Sequence, residues 1–120
     1  MAKILIIDDN LATISMLETL LKISGYEIVT AFDGPSGIEK ALSEMPALIL
    51  LDIMMPQMDG IEVCTRLRQT PQTAAVPIVF LSAKADEKDI KRGLEAGANE
   101  YLLKPFNLEK LMQTVRKYAG

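Results

Sequence analysis

The 120-residue sequence contains no histidine and a single cysteine, Cys64. A lone cysteine excludes an internal disulfide, and without imidazoles or further thiols the chain cannot build a zinc or copper cluster. Cys64 is therefore read as an inert thiol on the buried face of a helix. Long apolar runs are also missing, since nothing approaches the ~18 residues of a membrane span. At the N-terminus only Ile4, Leu5, Ile6 and Ile7 separate Lys3 from two aspartates, too short and too quickly acidic for a signal peptide. Positive charge is in deficit: 13 Lys and Arg stand against 16 Asp and Glu, a net charge of -3. That argues against a direct nucleic-acid surface, because duplex affinity comes largely from cations neutralising phosphates. Without disulfides or a membrane segment, the expected location is cytoplasmic.

What is present is ordinary globular usage, 49% hydrophobic and 24% charged. The length suits one domain, expected to span residues 1–120. Five short apolar runs, at 4–7, 27–31, 47–51, 77–81 and 101–103, read as strands. The first, third and fourth are continuously apolar, as in strands covered by helices on both faces. Helical period fills the gaps; in the first, Leu11, Ile14, Leu17 and Leu21 define one apolar face. Gly25 and Gly97 mark helix stops, Pro35 a start and Pro46 a stop. Asp59, Asp86 and Asn107 stand where the third, fourth and fifth helices begin. Strictly alternating strands and helices with short connections imply a doubly wound α/β domain with a parallel sheet. Ligands of such sheets bind beyond the carboxyl ends of the strands.

Those ends carry Asp8 and Asp9 after the first run, Asp52 after the third, Ser82 after the fourth, and Lys104-Pro105 after the fifth. Singly, each has a bland reading: Asp9 as a helix cap, Asp52 and Ser82 as turn formers, Lys104 as a solvated charge. Together, three carboxylates in one crevice repel one another unless a cation sits between them. Oxygen ligands without sulfur or imidazole select a hard ion, and few carboxylates in an open crevice suit Mg²⁺. The same parts suit phosphoryl transfer, which depends mainly on positioning and charge stabilisation. Asp52, alone at the end of a buried strand, is the candidate nucleophile; Asp8 and Asp9 form the candidate metal pair.

The ordered set Asp8-Asp9, Asp52 with Met55-Pro56 and Asp59-Gly60, Ser82-Ala83 and Lys104-Pro105-Phe106 resembles the response-regulator receiver domain of two-component signalling over essentially the whole chain. The resemblance implies a five-stranded flavodoxin-like sheet of order 2-1-3-4-5. It implies Asp52 as phosphoacceptor, with Mg²⁺ held by Asp9, Asp52, the Met54 backbone carbonyl and, through water, Asp8. Lys104 and Ser82 would contact the phosphoryl group, Tyr101 would be the switch aromatic, and the Lys104-Pro105 bond would be cis. Met54 and Lys84 would flank the phosphoryl group and set its lifetime. The donor would be a histidine kinase or phosphotransfer protein, because a chain without histidine cannot carry the phosphohistidine itself. Output to a downstream protein or a second copy would leave through the fourth helix, fifth strand and fifth helix, where Asp89, Lys91, Arg92, Glu95, Lys110 and Arg116 mix both signs. Such a switch is not a turnover enzyme.

Three other readings stay open. The chain is a free-standing receiver or one excised from a longer regulator. A haloacid-dehalogenase-type phosphatase also uses an aspartate nucleophile, magnesium and lysine, but needs an acid two residues on, where Met54 stands. A flavodoxin would place flavin phosphate on the first loop, where Asp8 and Asp9 would repel it.

Overall fold

The computed structural model describes residues 2–83 and 86–120. Strands β1 (Lys3–Ile7), β2 (Glu27–Ala31), β3 (Leu48–Asp52), β4 (Ile78–Ser82) and β5 (Glu100–Leu103) alternate with helices α1 (Leu11–Ile23), α2 (Gly34–Glu44), α3 (Gly60–Gln69), α4 (Glu87–Glu95) and α5 (Leu108–Ala119). All four strand pairings are parallel, in the order β2-β1-β3-β4-β5. Strands β3 and β4 are buried at every position, and β1 from Ile4 onward, as continuous apolar runs require.

Alternation along the strands divides the core in two. Ile4, Ile6, Leu48, Leu50, Val79 and Leu81 face α1 and α5, meeting Ile14, Leu17, Leu21, Leu111 and Val115. Leu5, Ile7, Ile49, Leu51, Ile78 and Phe80 face the other way, against Ala41, Val63, Cys64 and Leu67. Cys64 is fully buried, and desolvation raises its thiol pKa, as expected for an inert structural thiol. Leu11 departs from the apolar face assigned to it, being 68% exposed. It is the first residue of α1, past the end of β1, and joins neither of the two core clusters.

Local chemistry fixes the helix ends. Asn10, Asp33, Asp59, Asp86 and Asn107 each accept a backbone N–H of the first turn and cap α1 to α5 in order. Asp9 is thus not the cap of α1; the neighbouring Asn10 is. Gly25 and Gly97 adopt φ of +97° and +110° just after α1 and α4. Before Pro46, α2 ends instead on a left-handed Met45. The caps and strand ends bring the loops after β1, β3, β4 and β5 to one rim.

Candidate phosphoryl and metal site

On that rim Asp8 follows β1, Asp52 is the last residue of β3, Ser82 the last of β4, and Lys104 follows β5. One carboxylate oxygen from each of Asp8, Asp9 and Asp52 falls within a mutual 4.8 Å. Asp8 is fully buried and Asp52 is 5% exposed, whereas Asp9 faces solvent. The Lys104 ammonium donates to Asp8 Oδ2 at 2.9 Å and lies 3.6 Å from Asp52 Oδ1, an ion pair rather than a hydrogen bond. Asp8 Oδ1 accepts the Asn10 amide at 2.8 Å, so both of its oxygens are engaged.

Burial and, after it, the neighbouring Asp8 charge push the Asp52 carboxyl up to about 6. The Lys104 charge and a hydrogen bond from the Met54 backbone amide oppose that rise. Asp52 thus sits where its negative charge is under-compensated by protein alone. Three carboxylates against one ammonium leave a deficit of positive charge that a divalent ion matches. The all-oxygen donor set fits a hard ion such as magnesium.

Backbone approach shapes the loop after β3. The Gly60 amide donates to Ile53 O at 2.8 Å, and a Cβ on Gly60 would stand 2.2 Å from the Asp52 carbonyl oxygen. Only glycine lets α3 start this close to the strand that presents Asp52. Gln57 takes a left-handed φ of +68° in the same loop. The Met54 side chain is 56% exposed.

Ser82 is fully buried, and its carbonyl accepts the Lys104 amide at 2.8 Å, tying the ends of β4 and β5. Tyr101 is half-buried and stands early in β5, where its register partner is Phe80 rather than Ser82, which pairs with Leu103. The rings of Phe80 and Tyr101 lie 6.2 Å apart, tilted by 56°. The Lys104-Pro105 peptide is cis. Lys84 lies outside the described residues. The structure therefore gathers Asp8, Asp9, Asp52 and Lys104 directly, with Ser82 beside them and Tyr101 one strand further out.

Sequence reading missed two groups here, the amides of Met54 and Asn10, because backbone donors leave no trace in side-chain identity. Gly60 did leave a trace, as the glycine of Asp59-Gly60.

A doubly wound sheet with an acidic, lysine-tipped rim defines a class, and comparison places the chain within it. Residues 4–116 match the response regulator receiver domain family, and the chain belongs to that family. It is 45% identical over 114 residues to the alkaline phosphatase synthesis transcriptional regulatory protein PhoP of Bacillus subtilis (strain 168), covering 95% of this chain and 47% of PhoP. The chain thus spans about half the length of that relative. Among solved structures, the chemotaxis response regulator CheY4 of Vibrio cholerae superposes with a TM-score of 0.92 at 34% identity, covering 98% of each chain. The receiver domain of sensor histidine kinase PA1611 from Pseudomonas aeruginosa PAO1 has a TM-score of 0.91 at 30% identity, covering 99% of this chain and 98% of that one. That structure holds a magnesium ion coordinated in its active-site cleft. The chain is a receiver domain of the two-component class, a signalling domain rather than a typical turnover enzyme. Among the described residues no helix is long and apolar enough to cross a membrane.

Proposed function

We propose that residues 1–120 act as one phosphorylation switch in which Asp52 accepts a phosphoryl group from a histidine kinase or phosphotransfer protein. The carrying observation is the convergence of Asp8, Asp9 and Asp52 within 4.8 Å beside Lys104. An Asp52 carboxylate oxygen attacks phosphorus, the bond from phosphorus to the donor breaks, and an acyl phosphate forms. Asp9, Asp52 and the Met54 backbone carbonyl would hold Mg²⁺ directly. The engagement of both Asp8 oxygens supports a reach through water for that residue. Bound magnesium supplies positive charge that offsets the crowded carboxylates and the incoming phosphoryl oxygens.

Lys104, already against two of the carboxylates, is within reach of a phosphoryl group on Asp52, and Ser82 would donate its hydroxyl to the same group. A phosphoryl group shifts the conformation only by contacting one state better than the other, and the Ser82 bond supplies that difference. Tyr101 would then turn, changing the face formed by α4, β5 and α5. On that face a cavity of about 360 Å³ is lined by Ile90, Tyr101, Leu103, Phe106 and Lys110, which supports docking of a downstream protein or a second copy. The domain would not turn over substrate, touch nucleic acid directly or enter a membrane, and it would work in the cytoplasm.

Incubation with a small acyl phosphate and Mg²⁺ should add one phosphoryl group to wild type and none to Asp52→Asn. Chelation should stop the labelling, and Asp9→Ala should weaken Mg²⁺ binding more than Asp8→Ala. Ser82→Ala should still be labelled yet lose most of the NMR response around Tyr101 and α4. Undiminished labelling of Asp52→Asn would overturn the assignment.

A further inference from the structure

Of the nine residues of α4, only Gly93 is buried, whereas α1 and α5 each bury three residues and α3 four. Gly93 lies against the rings of Phe80 and Tyr101, so close that a Cβ there would stand 3.0 Å from Phe80 Cδ2 and 3.3 Å from Tyr101 Cδ2. Asp89 and Ile90 are half-buried and, Gly93 apart, the other residues of the helix are exposed, so burial gives it little resistance to rotation.

Its C-terminal end is held differently. The Arg68 guanidinium, extending from the last turn of α3, donates through Nε to Gly97 O at 2.9 Å and through Nη2 to Asn99 Oδ1 at 3.0 Å. Its Nη1 donates to Val76 O at 2.7 Å and more weakly to Thr73 O and Ala74 O. Asn99 Oδ1 also accepts the Ile78 amide, and the Asn99 amide returns a bond to Ile78 O, which locks the turn to the start of β4. The Cys64 thiol donates to Ala96 O at 3.4 Å, at the first residue of the turn. A Cβ on Gly97 would stand 2.9 Å from Arg68 Cγ, so side chain and turn are in full contact. A cation at this position also complements the carbonyl end of α4.

From this asymmetry we propose that Arg68 is the pivot pin of α4: it fixes the turn at residues 96–99 so that the helix swings about its C-terminal end over Phe80 and Tyr101. Arg68 is thereby a positioning residue for the α4 surface, about 29 positions in sequence from the turn it holds. The inference rests on the unphosphorylated geometry and stands whether or not Asp52 accepts phosphate.

Hydrogen exchange by NMR on the metal-free, unphosphorylated protein tests it. In wild type, the hydrogen-bonded amides of Ala96, Gly97 and Asn99 should exchange more slowly than that of Ile90, which bonds to Asp86 O at the other end. Arg68→Met should speed exchange at residues 96–99 by about tenfold or more, as expected for lost charged hydrogen bonds, with α1 and α2 unchanged. Arg68→Lys, which keeps a cation and part of the bonding, should fall between. Equal protection at the two ends of α4 in wild type would overturn the pivot, a result that needs no variant to fold. So would unchanged exchange at 96–99 in Arg68→Met, or acceleration spread evenly over all helices.

Discussion

Asp52 is 5% exposed beside Asp8, and its carboxyl is pushed from 3.8 up to about 6, by burial first and by that neighbour second. An acid whose pKa is higher folded than unfolded binds more protons when folded, so its ionisation costs stability. The cost is absent below the unfolded value and complete above the folded one, so the window runs from about pH 4 to about pH 6. In chelator, Asp52→Asn should therefore be more stable than wild type at pH 7.5, by about 3 kcal/mol, with the advantage vanishing near pH 4. Urea unfolding at the two pH values measures it, and an equal difference at both would refute the sign. The residues that carry this electrostatics were legible in the sequence because a charged side chain closing an apolar run is an anomaly that periodicity exposes. Asp8, Asp52 and Lys104 all announced themselves in that way. Arg68 did not: an arginine in the last turn of a helix reads as an ordinary dipole partner, and its bonds reach carbonyls 5 to 29 positions away.

Two glycines show how helix placement depends on what a missing side chain would strike. Gly60 begins α3 and approaches backbone, with a Cβ there standing 2.2 Å from the Asp52 carbonyl oxygen and 2.8 Å from Ile53 Cα. Gly37 in α2 approaches the Ile7 side chain, Cδ1 at 2.6 Å. Backbone inside a sheet cannot retreat, whereas an isoleucine can change rotamer at a cost of overpacking. Gly60→Ala should lower stability by more than about 3 kcal/mol, and Gly37→Ala by about 1–2 kcal/mol. Thermal melts of the two variants should rank them so, and the reverse order would contradict the distinction between rigid and yielding neighbours. At this scale the elements were read closely from local chemistry. Asp59, Asp86 and Asn107 cap the helices they were assigned, and the strand runs shift by only a residue at their ends. Leu11 escaped the reading because periodicity assigns a helical face and says nothing of how far along that face the core reaches.

Strand order is a property of the whole molecule, and no local pattern contains it: β1 pairs with both β2 and β3, which follow it at different distances along the chain. The order 2-1-3-4-5 was implied only by the family resemblance that the ordered motifs carry. Its consequence is that Lys104 meets Asp8 across 96 positions of sequence, closing the rim from the last strand to the first. The Lys104 ammonium and a metal ion held as proposed would neutralise the same carboxylates, and as like charges they would oppose each other's presence. Removing the lysine should therefore separate two effects. Without metal, Lys104→Met leaves buried Asp8 and Asp52 without their cation and should cost about 3 kcal/mol, seen as a fall in melting temperature on the order of 10 °C. With Mg²⁺ present, the variant's site lacks the repelling ammonium and should bind the ion more tightly. Because a ligand of the folded state stabilises in proportion to the logarithm of its concentration over Kd, the melting temperature of Lys104→Met should rise more on adding Mg²⁺ than that of wild type. Melting curves over a Mg²⁺ series, with calorimetric titration for Kd, test both halves. An equal rise in the two proteins would mean that Lys104 and the ion do not share a charge balance, and that the lysine serves the fold alone.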